Sequence, residues 1–141
     1  MSAPVFQLDL SLRGEDLEPE QVTRILGVAP SGTRISRGTP GMWLLRIQGT
    51  SPDECVDSLV RRFRGWLRDL SQLPGVDEGH LELVVPSATG QDGGAPVCLE
   101  WEPGSIAQLA ACRLPLVITL DGVGAEETLM TEPTTDESVL F

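Results

Sequence analysis

Residues 51–75 read SPDECVDSLVRRFRGWLRDLSQLPG, and the reading of this stretch decides how the rest of the chain is taken. Ser51 and Glu54 have the spacing of a capping box, with Pro52 at the first helical position. Val56, Leu59, Val60, Phe63, Trp66, Leu67 and Leu70 then recur at spacings of three and four, one broad apolar stripe along a helix. Asp57, Arg61, Arg64 and Arg68 fall on the opposite face, and Leu73-Pro74-Gly75 stops the run. The pattern predicts a long amphipathic helix that needs an apolar layer to lie on.

The flanking segments supply that layer. Residues 5–12 alternate, with Phe6, Leu8, Leu10 and Leu12 on one side and Gln7, Asp9 and Ser11 on the other, as in a strand with one buried face. Residues 18–27 start with Glu18-Pro19-Glu20 and end with Gly27, a short helix with acids at its positive end and a left-handed cap at its close. Residues 33–37 and 42–48 flank the turn-forming Gly38-Thr39-Pro40-Gly41 as a hairpin. Residues 80–85 and 97–101 alternate in the same way across the Gly-rich stretch 86–96, a second hairpin with a long loop. A helix over 105–112, with Ile106, Leu109 and Ala110 inward, leads past Pro115 into a strand over 116–120. The order β-α-ββ-α-ββ-α-β predicts an α+β fold, a mixed or antiparallel sheet with its helices on one face.

Strand one, then Gly14-Glu15-Asp16-Leu17-Glu18-Pro19-Glu20-Gln21-Val22 and Leu26-Gly27-Val28-Ala29-Pro30, then Arg37-Gly38, then Gly41-Met42-Trp43 and a long amphipathic helix follow one another. In this order they resemble the bacterial family catalogued as domain of unknown function 4279, over residues 5–121. The resemblance implies a small bacterial α+β domain and assigns no activity and no site.

A chain of 141 residues at 40% hydrophobic content suits one domain, set here at residues 1–121, followed by an acidic tail over 122–141 that reads as mobile. The formal charge is −11, and every cation is an arginine. Residues 1–75 balance nine arginines against nine acids, whereas residues 76–141 set Arg113 against twelve acids, so the whole excess lies in the second half. Such a polyanion repels nucleic acid and anionic lipid and speeds encounter with basic partners. No basic, apolar leader opens the chain and no apolar run suits a membrane span, so a cytoplasmic protein is expected. Cys55, Cys98 and Cys112 are widely spaced, which predicts buried thiols and neither disulfides nor a zinc site; Cys112 beside Arg113 is where a cation would activate a thiol.

His80 is the sole histidine, and its neighbours in sequence include no nucleophile or second strong ligand. No Gly-x-Ser-x-Gly elbow, phosphate-binding loop or dinucleotide fingerprint occurs. No catalytic residue, metal or cofactor is therefore assigned, and the chain is not expected to be an enzyme. Arg34 and Arg37, beside Ser31, Thr33 and Ser36, are the candidate anion contact, although strand alternation separates Arg34 from Arg37 and favours cross-strand ion pairing. The candidate partner contacts are the acids at the chain's end, Asp121, Glu126, Glu127, Glu132, Asp136 and Glu137, with Phe141 as an apolar anchor. These features predict a noncatalytic module for a basic protein partner, in the manner of an immunity or inhibitor protein. The alternative is a small-ligand or regulatory domain that uses the groove between sheet and helices.

Overall fold

The computed structural model describes residues 5–64, 67–86 and 99–120. Among the described residues eight elements follow in order: β1 (Phe6–Gly14), α1 (Pro19–Leu26), β2 (Gly32–Arg34), β3 (Gly41–Gly49), α2 (Pro52–Arg62), β4 (Glu78–Val85), α3 (Pro103–Ala111) and β5 (Leu116–Leu120). The strands form one sheet in the order β2-β3-β1-β4-β5. β1 lies at its centre, antiparallel to β3 and β4, while β5 runs parallel to β4. The fold is α+β with a mixed sheet, and the parallel pair arises because α3 carries the chain across before β5 begins.

Alternation in three strands makes the core floor: Leu8, Leu10 and Leu12 of β1, Trp43, Leu45 and Ile47 of β3, and Leu81, Leu83 and Val85 of β4 are all buried. Val22 and Leu26 of α1, Cys55, Val56 and Leu59 of α2, and Leu109 of α3 close the same cluster from above. Each fully buried aliphatic side chain stabilises the fold by about 1.5–3 kcal/mol. Trp43 has no exposed surface, and its Nε1–H donates to Thr23 Oγ1 of α1 at 3.0 Å, so its polar end is satisfied.

The helix starts follow the sequence closely. Ser51 caps α2 by accepting from the Glu54 amide at 3.1 Å, and the Glu54 carboxylate turns back onto the Thr50 amide and hydroxyl. Gly27 closes α1 in the left-handed region, at φ 72°.

Two expectations are corrected. The helix predicted from Ser51 toward Leu73 ends at Arg62, and Arg64 adopts φ 63°, which cannot continue a right-handed helix. Leu67 and Leu70 remain buried, but their amides donate to Gln108 Oε1 and the Cys112 carbonyl, at 3.2 and 3.1 Å. Bonds to α3 and its end thus replace the i to i−4 bonds of a longer α2; Gly65 and Trp66 lie outside the described residues. The second correction concerns the strand expected over residues 97–101, and with it the order β-α-ββ-α-ββ-α-β. Val97 and Cys98 lie outside the described residues, while Leu99, Glu100 and Trp101 form no strand, so the observed order is β-α-ββ-α-β-α-β. The reason is occupancy: β4 is flanked by β1 on one side and β5 on the other, leaving no edge for a hairpin partner. Leu99 and Trp101 pack instead against the core.

Candidate functional site

Three surfaces are built by this arrangement. The first is an open cleft of about 530 Å³ between the turn that enters α1 and the segment that follows β2. Asp16, Glu18 and Glu20 rim one side, Thr33, Ile35 and Ser36 the other, and Ile35 is 62% exposed. Backbone approach holds the cleft in shape. Leu17 is fully buried and its carbonyl oxygen lies 2.3 Å from where a Cβ on Gly41 would sit, so a side chain at position 41 collides with main chain. The Ser36 hydroxyl donates to the Glu15 carbonyl at 2.6 Å, and the Glu15 amide donates to Asp77 Oδ2 at 2.9 Å.

This cleft adjoins the candidate anion contact. Arg34 is the last residue of β2, and its Nε–H donates to the Pro40 carbonyl at 3.0 Å, bracing the hairpin turn. Arg37 lies beyond the strand, where its amide donates to the Thr39 carbonyl at 3.2 Å. Among the described residues neither arginine forms an ion pair; the two salt bridges are Arg46 with Asp9 and Arg113 with Asp69. On the polar face of the α2 segment, Arg61 donates to Ser58 Oγ at 3.3 Å, and the guanidinium of Arg64 lies over Gly27.

The second surface is the sheet face away from the helices. Asp9 and Ser11 sit buried at its centre because longer side chains from β3 and β4 stand on both sides. Arg46 grips Asp9 with two bonds, Nε to Oδ1 at 3.0 Å and Nη2 to Oδ2 at 3.2 Å, and Gln7 Nε2 adds a third at 3.3 Å. The bond to Asp9, more than its charge alone, raises the Arg46 pKa above the usual guanidinium value. Register places Glu82 opposite Asp9 and His80 opposite Ser11. His80, Ser11, Arg13 and Glu78 line a depression of about 240 Å³. Sequence proximity missed this grouping, since residues 9, 11, 80 and 82 meet only through strand pairing. Its chemistry is that of a braced polar face: Asp9 is occupied by Arg46 and Gln7, Glu82 accepts from the Thr119 hydroxyl at 2.7 Å, and among the described residues no hydrogen bond joins Ser11 to His80.

The third surface is an apolar groove of about 360 Å³ between α3 and the sheet, lined chiefly by Leu81, Trp101, Ile106, Leu109, Leu114 and Leu116. Of the α3 residues expected to face inward, Leu109 is buried, whereas Ile106 is 54% exposed and Ala110 is exposed, both on the groove wall.

Cys55 and Cys112 are both buried, and loss of solvent pushes their thiols up to about 11 and about 12. Arg113 does not activate Cys112; it pairs with Asp69 at 3.8 Å. Cys98 and the acidic residues Asp121, Glu126, Glu127, Glu132, Asp136 and Glu137, with Phe141, lie outside the described residues. Among the described residues no three His, Cys, Asp or Glu side chains gather as metal ligands, and no helix is long and apolar enough to cross a membrane. No family model, no curated protein and no solved structure matches this chain.

Proposed function

We propose that this chain is a noncatalytic, cytoplasmic acidic module that binds a basic protein partner, in its sharpest form an immunity or inhibitor protein that neutralises a cationic toxin or effector. The same proposal places the chain in the bacterial family of unknown function 4279, which brings no activity with it. The observation that supports it best is the open cleft at the start of α1, where Asp16, Glu18 and Glu20 stand around the exposed Ile35. An apolar contact ringed by carboxylates suits an arginine or lysine side chain, whose stem packs while its head pairs. The charge of residues 76–141, one arginine against twelve acids, would draw such a partner in from a distance.

The test is capture from a native bacterial extract by the full-length chain, followed by affinity measurement on the isolated pair. Binding is expected to weaken about tenfold between low and physiological salt, and to weaken again in a Glu18→Gln, Glu20→Gln variant. A version ending at Asp121 measures what the terminal acids add. A partner whose affinity ignores both salt and the cleft variant would overturn the reading. The apolar groove beside α3 favours a second reading, a small apolar ligand held between sheet and helix, since its volume lies in the usual range for such sites. Ligand binding there would be nearly indifferent to salt.

A further inference from the structure

The two edges of the sheet are built differently. β2 is three residues long and carries Gly32 and Arg34, features that blunt an edge against foreign strands. β5 is Leu116-Val117-Ile118-Thr119-Leu120, with no charge, proline or glycine, and among the described residues no strand pairs with its outer side. Leu116, Val117, Ile118 and Leu120 are 41, 39, 46 and 41% exposed, whereas the other leucines among the described residues are buried or half-buried. Register with Leu81, Leu83 and Val85 assigns Leu116, Ile118 and Leu120 to the helix side of the sheet, and Val117 and Thr119 to the open side.

We propose that β5 joins two copies of this chain edge to edge, antiparallel about Ile118, so that the sheet continues across a twofold axis. The pattern of β5 is its own complement. In that register Leu116 meets Leu120 of the other copy, Ile118 meets Ile118, and Val117 meets Thr119, so each cross-strand pair is apolar or β-branched and none sets charge against charge. A basic strand from another protein would find no counter-charge on β5 itself. The area sets the strength. The exposed side chains of β5 with Ile106 offer roughly 400 Å² per copy, about half of a standard interface, so the association is expected to be weak and to depend on concentration. The formal charge of −11 on each copy opposes the pairing, and salt, by screening it, strengthens the dimer. That sign is opposite to the one expected for a basic partner, so this proposal and the proposed function stand or fall separately.

Sedimentation equilibrium of the full chain over about 10 to 500 μM, at about 50 and 500 mM salt, tests it. The average mass should climb toward two chains with concentration, and more steeply at high salt. Ile118→Lys and Ile118→Glu should each hold the protein monomeric, with melting curves near wild type because residue 118 is an exposed edge position. An equimolar mixture of the two variants should recover the dimer at low salt, since position 118 faces itself and a lysine then opposes a glutamate. A wild-type chain that stays monomeric throughout, because another part of the chain covers β5 or because nothing binds there, overturns the proposal. So does an Ile118→Lys variant that associates like wild type, or a mixture that fails to pair.

Discussion

Replacing Gly41 by alanine tests whether the cleft owes its shape to a close crossing of main chains. Gly41 begins β3 opposite Gly14, the last residue of β1, and a Cβ at position 41 would sit 2.3 Å from the Leu17 carbonyl oxygen and 3.4 Å from that of Arg34. Ordinary contact begins near 3.4 Å, so the turn bearing Asp16 and Leu17 must retreat by about 1 Å, and a backbone carbonyl cannot swing aside as a flexible side chain would. Leu17 is fully buried, so the retreat also loosens its packing. The expected cost is about 2–3 kcal/mol, toward the upper part of the overpacking range, which for this length lowers Tm by about 8–12 °C. Gly32→Ala is the control: a Cβ there meets nothing within 4 Å and the backbone is not left-handed, so Tm should move by no more than about 2 °C. Gly38→Ala has open space but φ 76°, which isolates backbone strain at about 1 kcal/mol. Thermal melts and urea titrations of the three variants measure the series. A Gly41→Ala protein as stable as Gly32→Ala would refute the reasoning.

Thr23→Val leaves the buried Trp43 indole N–H without its acceptor, and urea titration should show a loss of about 1–3 kcal/mol that Thr23→Ser largely avoids. The Glu54 carboxyl is held below its ordinary range first by the backbone N–H of Thr50 and then by its hydroxyl; Asp69 is held low first by the Ser71 hydroxyl. Both folded values lie below the unfolded ones, so the stability they contribute is complete above the ordinary carboxylate range and is lost as pH falls through the depressed values. Tm should therefore be flat above about pH 5 and fall below about pH 4, and Thr50→Val with Ser71→Ala should shallow that acid limb. In a Cys98→Ser background, Cys55 and Cys112 should resist alkylation at pH 8 until the chain unfolds, since burial pushes both thiols to about 11 and above. Alkylation of either thiol at the rate of a free cysteine would show it to be accessible.

The local grammar of the chain was legible without coordinates. Pro19 and Gly27 bracket α1, Ser51 and Glu54 open α2, and alternation through Leu8, Leu10 and Leu12 or Trp43, Leu45 and Ile47 marks which side of each strand is buried. These are short-range effects, set by each residue's own backbone preferences and by whether its side chain must leave water. The run from 80 to 85 reads equally well beside a hairpin partner or a crossover partner, because alternation reports a strand's faces and is silent about its neighbours. Only the assembled sheet showed that β5 takes that edge and leaves residues 99–101 outside it. The same holds for the end of α2: the apolar stripe continues through Leu67 and Leu70, yet tertiary bonds to Gln108 and Cys112 let both stay buried after the helix has stopped. The meeting of Asp9, Ser11, His80 and Glu82, the acid-rimmed cleft and the uncovered edge of β5 likewise depend on pairing between residues distant in the chain. Sequence determined which face of β1, β3 and β4 packs into the core and where α1 and α2 begin. Tertiary structure decided which strands become neighbours, because that choice is made by competition for sheet edges and no single segment carries its outcome.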